Sequence, residues 1–186
     1  MKHIDLSAYD IIAAADSGYD LACSLGLQVQ LLVGDLDSIV ASDIPEDVQI
    51  VRYPQGKDDS DTVLGMKALI QRGVTRLLIL GGGEGRMDHL LSLCMEFIKS
   101  DADIHWITGL EHVWIVRDTI ELTGSEGTRV SIFPEPGVKV SSEGLIWGTD
   151  NVLYSLSNQL SGKRCRITVH GGAALVMMDS SGYLGQ

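Results

Sequence analysis

Residues 29–38 read VQLLVGDLDS. The apolar run stops at Gly34, and two aspartates follow with a single leucine between them. A strand without polar alternation needs cover on both faces, which is the condition of a strand inside a parallel sheet. Its ending in Asp35-Leu36-Asp37 sets a problem. On extended chain the two carboxylates point the same way, roughly 6–7 Å apart, and unpaired they repel and raise one pKa. A divalent cation beside them removes the conflict. A solvated turn is the plainer alternative, since aspartate is common in loops.

The neighbouring stretches share this rhythm. YDIIAAADSG (9–18) reads as a buried strand ending in Asp16-Ser17-Gly18, YDLACSLG (19–26) as a short helix stopped at Gly26, and VQIVRYP (48–54) as another strand. SDTVLGMKALIQRG (60–73) has apolar residues at 63, 64, 66, 69 and 70, a helical spacing closed by Gly73. RLLIL (76–80) predicts a strand, MDHLLSLCMEFIKS (87–100) a helix and IHWIT (104–108) a strand. This alternation predicts a parallel sheet with helices on both faces. In such sheets ligands bind outside the carboxyl ends of the strands, where the loops DSG, GDLDS and GGGEGRMDH fall.

After about residue 110 the texture changes. HVWIV, TRVSIFP, VKVSS, CRITVH and AALVMM are short, rich in β-branched residues and separated by Gly, Pro and Ser, which predicts antiparallel β structure. The expected fold is an α/β N-terminal domain with a mostly parallel sheet (residues 1–109), plus a C-terminal antiparallel β-sandwich domain (110–186).

The 186 residues are 45% hydrophobic and 21% charged, an ordinary globular balance. The formal charge of −11 disfavours nucleic acid, which needs a basic surface. It leaves room for anionic small molecules carried by Mg²⁺ on carboxylates. No apolar run approaches the roughly 18 residues of a membrane span, and MKHIDLSAYD has no signal-peptide core. A cytoplasmic protein without a membrane is the expectation. Cys23, Cys94 and Cys165 form no C-x-x-C pair, so a zinc site or disulfide framework is not expected.

Two further loops carry candidate chemistry. In QGKDDSDT (55–62), Asp58 or Ser60 is a candidate N-cap, and acids near a helix start are favoured by the dipole. Capping needs one acid, however, and this loop has three. Asp58 and Asp61 share a face if the turn is helical, and Lys57 adds a cation within reach of a phosphate. In GGGEGRMDH (81–89) the glycines let backbone N–H groups approach a phosphate, and Arg86 offers a planar donor fork. The loop lacks the ending of a P-loop, and Arg86 stands where a dinucleotide fingerprint has its last glycine. Asp88 is a candidate metal ligand or cap, and His89 reads as a surface histidine. An all-oxygen set, Asp35, Asp37, Asp58, Asp61 and Asp88, suits magnesium rather than zinc.

GDLDS, KDDSD and GRMDH, in this order and spacing, resemble the motifs of thiamine pyrophosphokinase: G-D-[FLM]-D-S, K-D-x-[ST]-D and G-[GA]-R-x-D-H. GLIWGTDNVLYSLSNQL (144–160) is similar to that family's thiamine-side segment. The likeness runs from about Ala13 to Met178. It implies a homodimer with an ATP-binding α/β domain, a β-sandwich, and thiamine at the dimer interface. It implies that Asp35, Asp37, Asp61 and Asp88 handle Mg²⁺ and the reacting groups. Lys57, Asp58, Arg86 and the backbone of Gly83 and Gly85 would hold ATP, and Trp147, Ser157 and Asn158 would meet thiamine. The implied reaction moves the pyrophosphoryl group of ATP to the thiamine hydroxyl, giving thiamine diphosphate and AMP. The residues leave Asp61 and Asp88 open as the proton acceptor.

Three departures stand beside the likeness. The family usually opens with an extra strand and a glycine-rich turn, and only MKHIDLSAY precedes the first matching segment, so that strand is expected to be missing. Glu84 stands where small residues are common, and Gln159 where the family often has Glu. The competing readings are a pyrophosphokinase of a related alcohol such as a pterin, and a non-catalytic nucleotide- or thiamine-binding protein.

Overall fold

The computed structural model describes residues 6–41, 43–54, 59–83, 85–150 and 152–185. The chain divides into two compact units, Met1–Val74 and Thr75–Gln186.

In the first unit, β1 (Ala13–Ala15), β2 (Leu31–Gly34) and β3 (Gln49–Arg52) form a parallel sheet in that order. The central strand is the opening stretch, and Leu31, Leu32 and Val33 are wholly buried. Because side chains alternate across a strand, Leu31 and Val33 pack on Leu64 and Ala68 of α2 (Asp61–Gln71). Leu32 turns the other way to Ala14, Val48 and Tyr19 of α1 (Gly18–Ser24). Both faces are therefore covered, which is why β2 needs no polar alternation. The N-cap of α2 is Ser60, whose hydroxyl accepts from the Val63 N–H at 3.4 Å. Asp58, the other candidate cap, and Lys57 lie outside the described residues.

The second unit begins with β4 (Arg76–Leu80), α3 (Met87–Lys99) and β5 (Asp103–Ile107), with β4 and β5 parallel. Phe97 of α3 meets Trp106 of β5 edge-on, centroids 5.7 Å apart. The guanidinium of Arg117 donates to the carbonyls of Phe97, Ile98 and Ser100, closing the carboxyl end of the helix. The strands then turn antiparallel: β6 (Glu111–Val116), β7 (Thr119–Gly124), β8 (Arg129–Pro134), β9 (Lys139–Glu143), β10 (Ser155–Gln159), β11 (Arg164–His170), β12 (Ala174–Asp179) and β13 (Tyr183–Gly185).

A six-stranded sheet, β10-β8-β12-β6-β5-β4, faces a four-stranded sheet, β13-β7-β11-β9. Val130, Ile132, Val176 and Met178 of the first meet Leu122, Ile167 and Val169 of the second in a buried core. This is the expected β-sandwich. The parallel strands divide between two sheets, with β4 and β5 joined to the six-stranded sheet by the antiparallel pairing of β5 with β6, which follow one another through a turn. There the Thr108 hydroxyl accepts from the N–H groups of Leu110 and Glu111. Texture thus changes near residue 110, while compactness divides the chain between Val74 and Thr75. No helix of the described residues is long and apolar enough to cross a membrane.

Candidate active site

At the carboxyl ends of β1 and β2 the backbone leaves extended geometry. Asp16 follows β1 with φ 45°, and Leu36 lies between its two aspartates with φ 68°. Asp35-Leu36-Asp37 is therefore a turn, which corrects the expectation of extended chain. Leu36 packs into the apolar cluster under α1, and its burial fixes the turn that swings both acids round. Carboxylate oxygens of Asp16, Asp35 and Asp37 lie within 4.8 Å of one another. Asp16 Oδ1 is buried and accepts no hydrogen bond among the described residues.

Gly34 makes the close approach possible. Its φ is 146°, and a Cβ there would stand 3.0 Å from Asp61 Oδ1 and 3.3 Å from Asp16 Cβ. Asp61, in the first turn of α2, thus borders the same cluster. Asp20 holds the backbone instead. Its two oxygens accept from the N–H groups of Val40 and Ala41, each at 2.9 Å, tying the loop after Asp37 to α1. The Ser38 hydroxyl donates to Asp37 at 2.9 Å.

Asp16 is the acid that the sequence reading left out of the site. Its signal was present, since DSG is one of three polar loops at strand ends. A single aspartate before a small residue nevertheless reads as an ordinary turn.

The second unit carries the glycine loop. Gly81, Gly82 and Gly83 all have positive φ. Trp106 Nε1 donates to the Gly81 carbonyl at 2.7 Å, and a Cβ on Gly83 would meet Thr108 Cγ2 at 2.7 Å. Gly85 has open space around it, and Glu84 lies outside the described residues. Arg86 caps α3 by position, with no side-chain cap bond. Its Nε donates to Asp88 Oδ1 at 3.1 Å and its Nη2 to Asp88 Oδ2 at 2.5 Å. Asp88 Oδ1 also accepts from the His89 N–H at 3.1 Å. The guanidinium holds the Asp88 carboxyl below the usual carboxylate range, and the carboxylate raises Arg86. His89 is exposed, as a surface histidine should be.

The thiamine-like segment has its own architecture. Asn158 is buried in β10, where its amide acts as a stand-in peptide group. Oδ1 accepts from the Trp147 N–H at 3.1 Å, and Nδ2 donates to the Trp147 carbonyl at 2.7 Å and to Ser155 Oγ at 3.1 Å. Both ends of the amide are thus spent on holding the chain around Trp147. Trp147 itself is 56% exposed, and Ile146, Leu153, Tyr154 and Leu156 of the same segment are exposed as well. Ser157 has φ 51° at a break in the β10–β8 register, and its N–H donates to Ser131 Oγ at 3.0 Å.

An all-oxygen donor set with one buried, unpartnered carboxylate oxygen fits a hard divalent cation such as Mg²⁺. Comparison with known proteins agrees with the motifs. The family model described as Thiamin pyrophosphokinase, catalytic domain, matches residues 5–107. No curated relative matches the chain in sequence. Among solved structures, a thiamine pyrophosphokinase from Bacillus subtilis is 18% identical with a TM-score of 0.75, covering 95% of this chain and 92% of that one. A thiamin pyrophosphokinase family protein from Enterococcus faecalis is 19% identical at TM-score 0.76, with 96% and 92% covered. Thiamin pyrophosphokinase from Candida albicans is 14% identical at TM-score 0.73, with 96% and 86% covered. At these identities the likeness concerns the fold.

Proposed function

The chain belongs to the thiamin pyrophosphokinase family, and from that premise we propose that it transfers the β,γ-pyrophosphoryl unit of ATP to the hydroxyl of thiamine. The thiamine oxygen bonds to the β-phosphorus, the bond from that phosphorus to the oxygen of the α-phosphate breaks, and AMP leaves with that oxygen. The hydroxyl proton passes to a carboxylate. The observation that carries the reading is the convergence of Asp16, Asp35 and Asp37 inside the span matched by the family.

In this reading Asp35, Asp37 and Asp16 hold Mg²⁺, which when bound neutralises charge on the migrating phosphates. Lys57, Asp58, the backbone of Gly83 and Gly85, and Arg86 serve the triphosphate. Asp61 takes the proton, its carboxylate lying at Gly34 beside Asp16, on the border of the cluster. Trp147 and Ser157 meet thiamine, the indole packing on a ring of the ligand. Asn158 serves thiamine indirectly by fixing Trp147. The exposed apolar side chains of the segment that carries Trp147 support a homodimer that covers them, with thiamine at the interface. A cytoplasmic setting, where ATP is supplied, fits this chemistry.

The test is incubation of the protein with thiamine, ATP and Mg²⁺, with products separated by chromatography. Equal amounts of AMP and thiamine diphosphate are expected. ADP in place of AMP would mean a different phosphoryl transfer. Product from a pterin alcohol but not from thiamine would move the substrate, and binding without turnover would leave a binding protein.

A further inference from the structure

The pairing of Arg86 with Asp88 separates these residues in function, although both stand in one motif. A guanidinium has five N–H donors arranged as two edges. The edge formed by Nε and Nη2 is taken by both oxygens of Asp88, at 3.1 and 2.5 Å. Nη1 and the second N–H of Nη2 form the other edge, which remains a complete fork for two phosphate oxygens. Asp88 is likewise committed. Oδ1 accepts from Arg86 Nε and from the His89 N–H, and Oδ2 accepts from Arg86 Nη2. Its charge is answered by a cation two residues away. In the cluster of Asp16, Asp35 and Asp37, Asp16 Oδ1 is buried and accepts no hydrogen bond among the described residues.

We infer that Asp88 is a positioning residue for Arg86, holding one edge of the guanidinium so that the other faces a phosphate, and that it is not a ligand of the metal. This rests on the proposed reading of the Arg86 loop as the phosphate side of an ATP site. An unsupported arginine at a helix start samples many rotamers, and a bidentate carboxylate removes much of that freedom. With side chains 73% and 59% exposed, the pair adds little to stability, so its substitution leaves the fold intact.

The experiment compares the wild-type chain with Asp88→Asn, Arg86→Lys, the double variant and Asp37→Asn. Binding of Mn²⁺ alone is followed by electron paramagnetic resonance, and KM for ATP by the product assay. Asp88→Asn should bind Mn²⁺ as the wild type does and raise KM for ATP by about fivefold, within the range of an exposed ion pair. It should add nothing in the Arg86→Lys background. Asp37→Asn should lose Mn²⁺. Weakened Mn²⁺ binding in Asp88→Asn, or effects of Asp88→Asn and Arg86→Lys that simply multiply, would overturn the inference. If the wild type makes no product and ATP does not bind to it in calorimetry, the functional reading itself fails, and the inference with it. If the wild type is active and only the Asp88 pattern is wrong, the functional reading stands alone.

Discussion

At the ends of β1 and β2, three carboxylates crowd together with a buried oxygen that nothing in the described chain satisfies. At the start of α3, one carboxylate lies flat against a guanidinium two residues away. Both loops are acidic, follow a strand and belong to motifs of one family. They differ in where each acid finds its partner: Asp88 meets a guanidinium two residues away, while Asp16 Oδ1 meets nothing in the described chain. In the first loop the like charges persist because Gly34 and the turn at Leu36 force them together. In the proposed reading a divalent cation joins them there, as an all-oxygen donor set suits.

The sharpest way to break this comparison is to remove a charge on each side. Asp37→Asn should lower kcat/KM by about a hundredfold to a thousandfold, the scale of losing a preorganised electrostatic partner of the transition state. Steady-state kinetics on Asp37→Asn and Asp88→Asn should differ by more than about tenfold. Equal losses would erase the distinction between the loops.

A second test moves to the clamp at Trp147. Asn158→Ala leaves a backbone N–H and carbonyl of Trp147 without their partner, at about 1–3 kcal/mol of stability. Denaturant unfolding should show that loss. KM for thiamine should rise while KM for ATP stays, because the carboxylate cluster is untouched.

Much of this was legible in advance. β2 was written in an apolar run that no exposed strand would carry, and the acids after Gly34 marked its functional end. α2, β4 and α3 followed from spacing, and capping chemistry narrowed the α2 cap to Asp58 or Ser60, of which the structure has Ser60. What escaped depends on partners far apart in sequence. Asp16 joins the cluster only because β1 pairs with β2 in register. Asn158 reads as a turn residue until its amide is seen bonded to Trp147, 11 residues away. β7 and β10 were missed because TIELTG and SLSNQ mix polar and apolar residues, and pairing with neighbouring strands of their own sheets, β11 and β8, stabilises them more than their own propensity does.

Smaller effects sharpen the same contrast through stability. In the metal-free protein, Asp16→Asn removes one of three clustered like charges. Relief of about 1 kcal/mol should raise Tm by about 2–4 °C in a chain of this size. Asp88→Asn, which breaks an attractive pair, should lower Tm slightly or leave it. Added Mg²⁺ should stabilise the wild type and not Asp16→Asn. Calorimetry with and without the ion checks the sign.

A pH-dependent effect lies in the sandwich. His105 and His112 stand 3.0 Å apart by their ring nitrogens. Burial, with His112 alongside, pushes the His105 pKa down from 6.5 to about 4, and burial lowers His112 as well. Between those two values the unfolded chain holds a proton that the folded chain refuses. Stability is therefore fully present above about 6.5 and falls as pH drops toward about 4. Thermal melts from about pH 7 to about pH 5 should show the decline, and His105→Gln should flatten it. An unchanged slope would remove His105 as its source.

In the proposed site the metal sits on Asp16, Asp35 and Asp37 and leaves Asp88 to Arg86. Diffraction recorded at the manganese absorption edge, from crystals grown with Mn²⁺ and ATP, addresses it directly. An anomalous peak is expected within coordination distance of oxygens from those three aspartates, with Arg86 turned to a phosphate and still paired with Asp88. A peak coordinated by Asp88, or one that leaves Asp16 unligated, would contradict it.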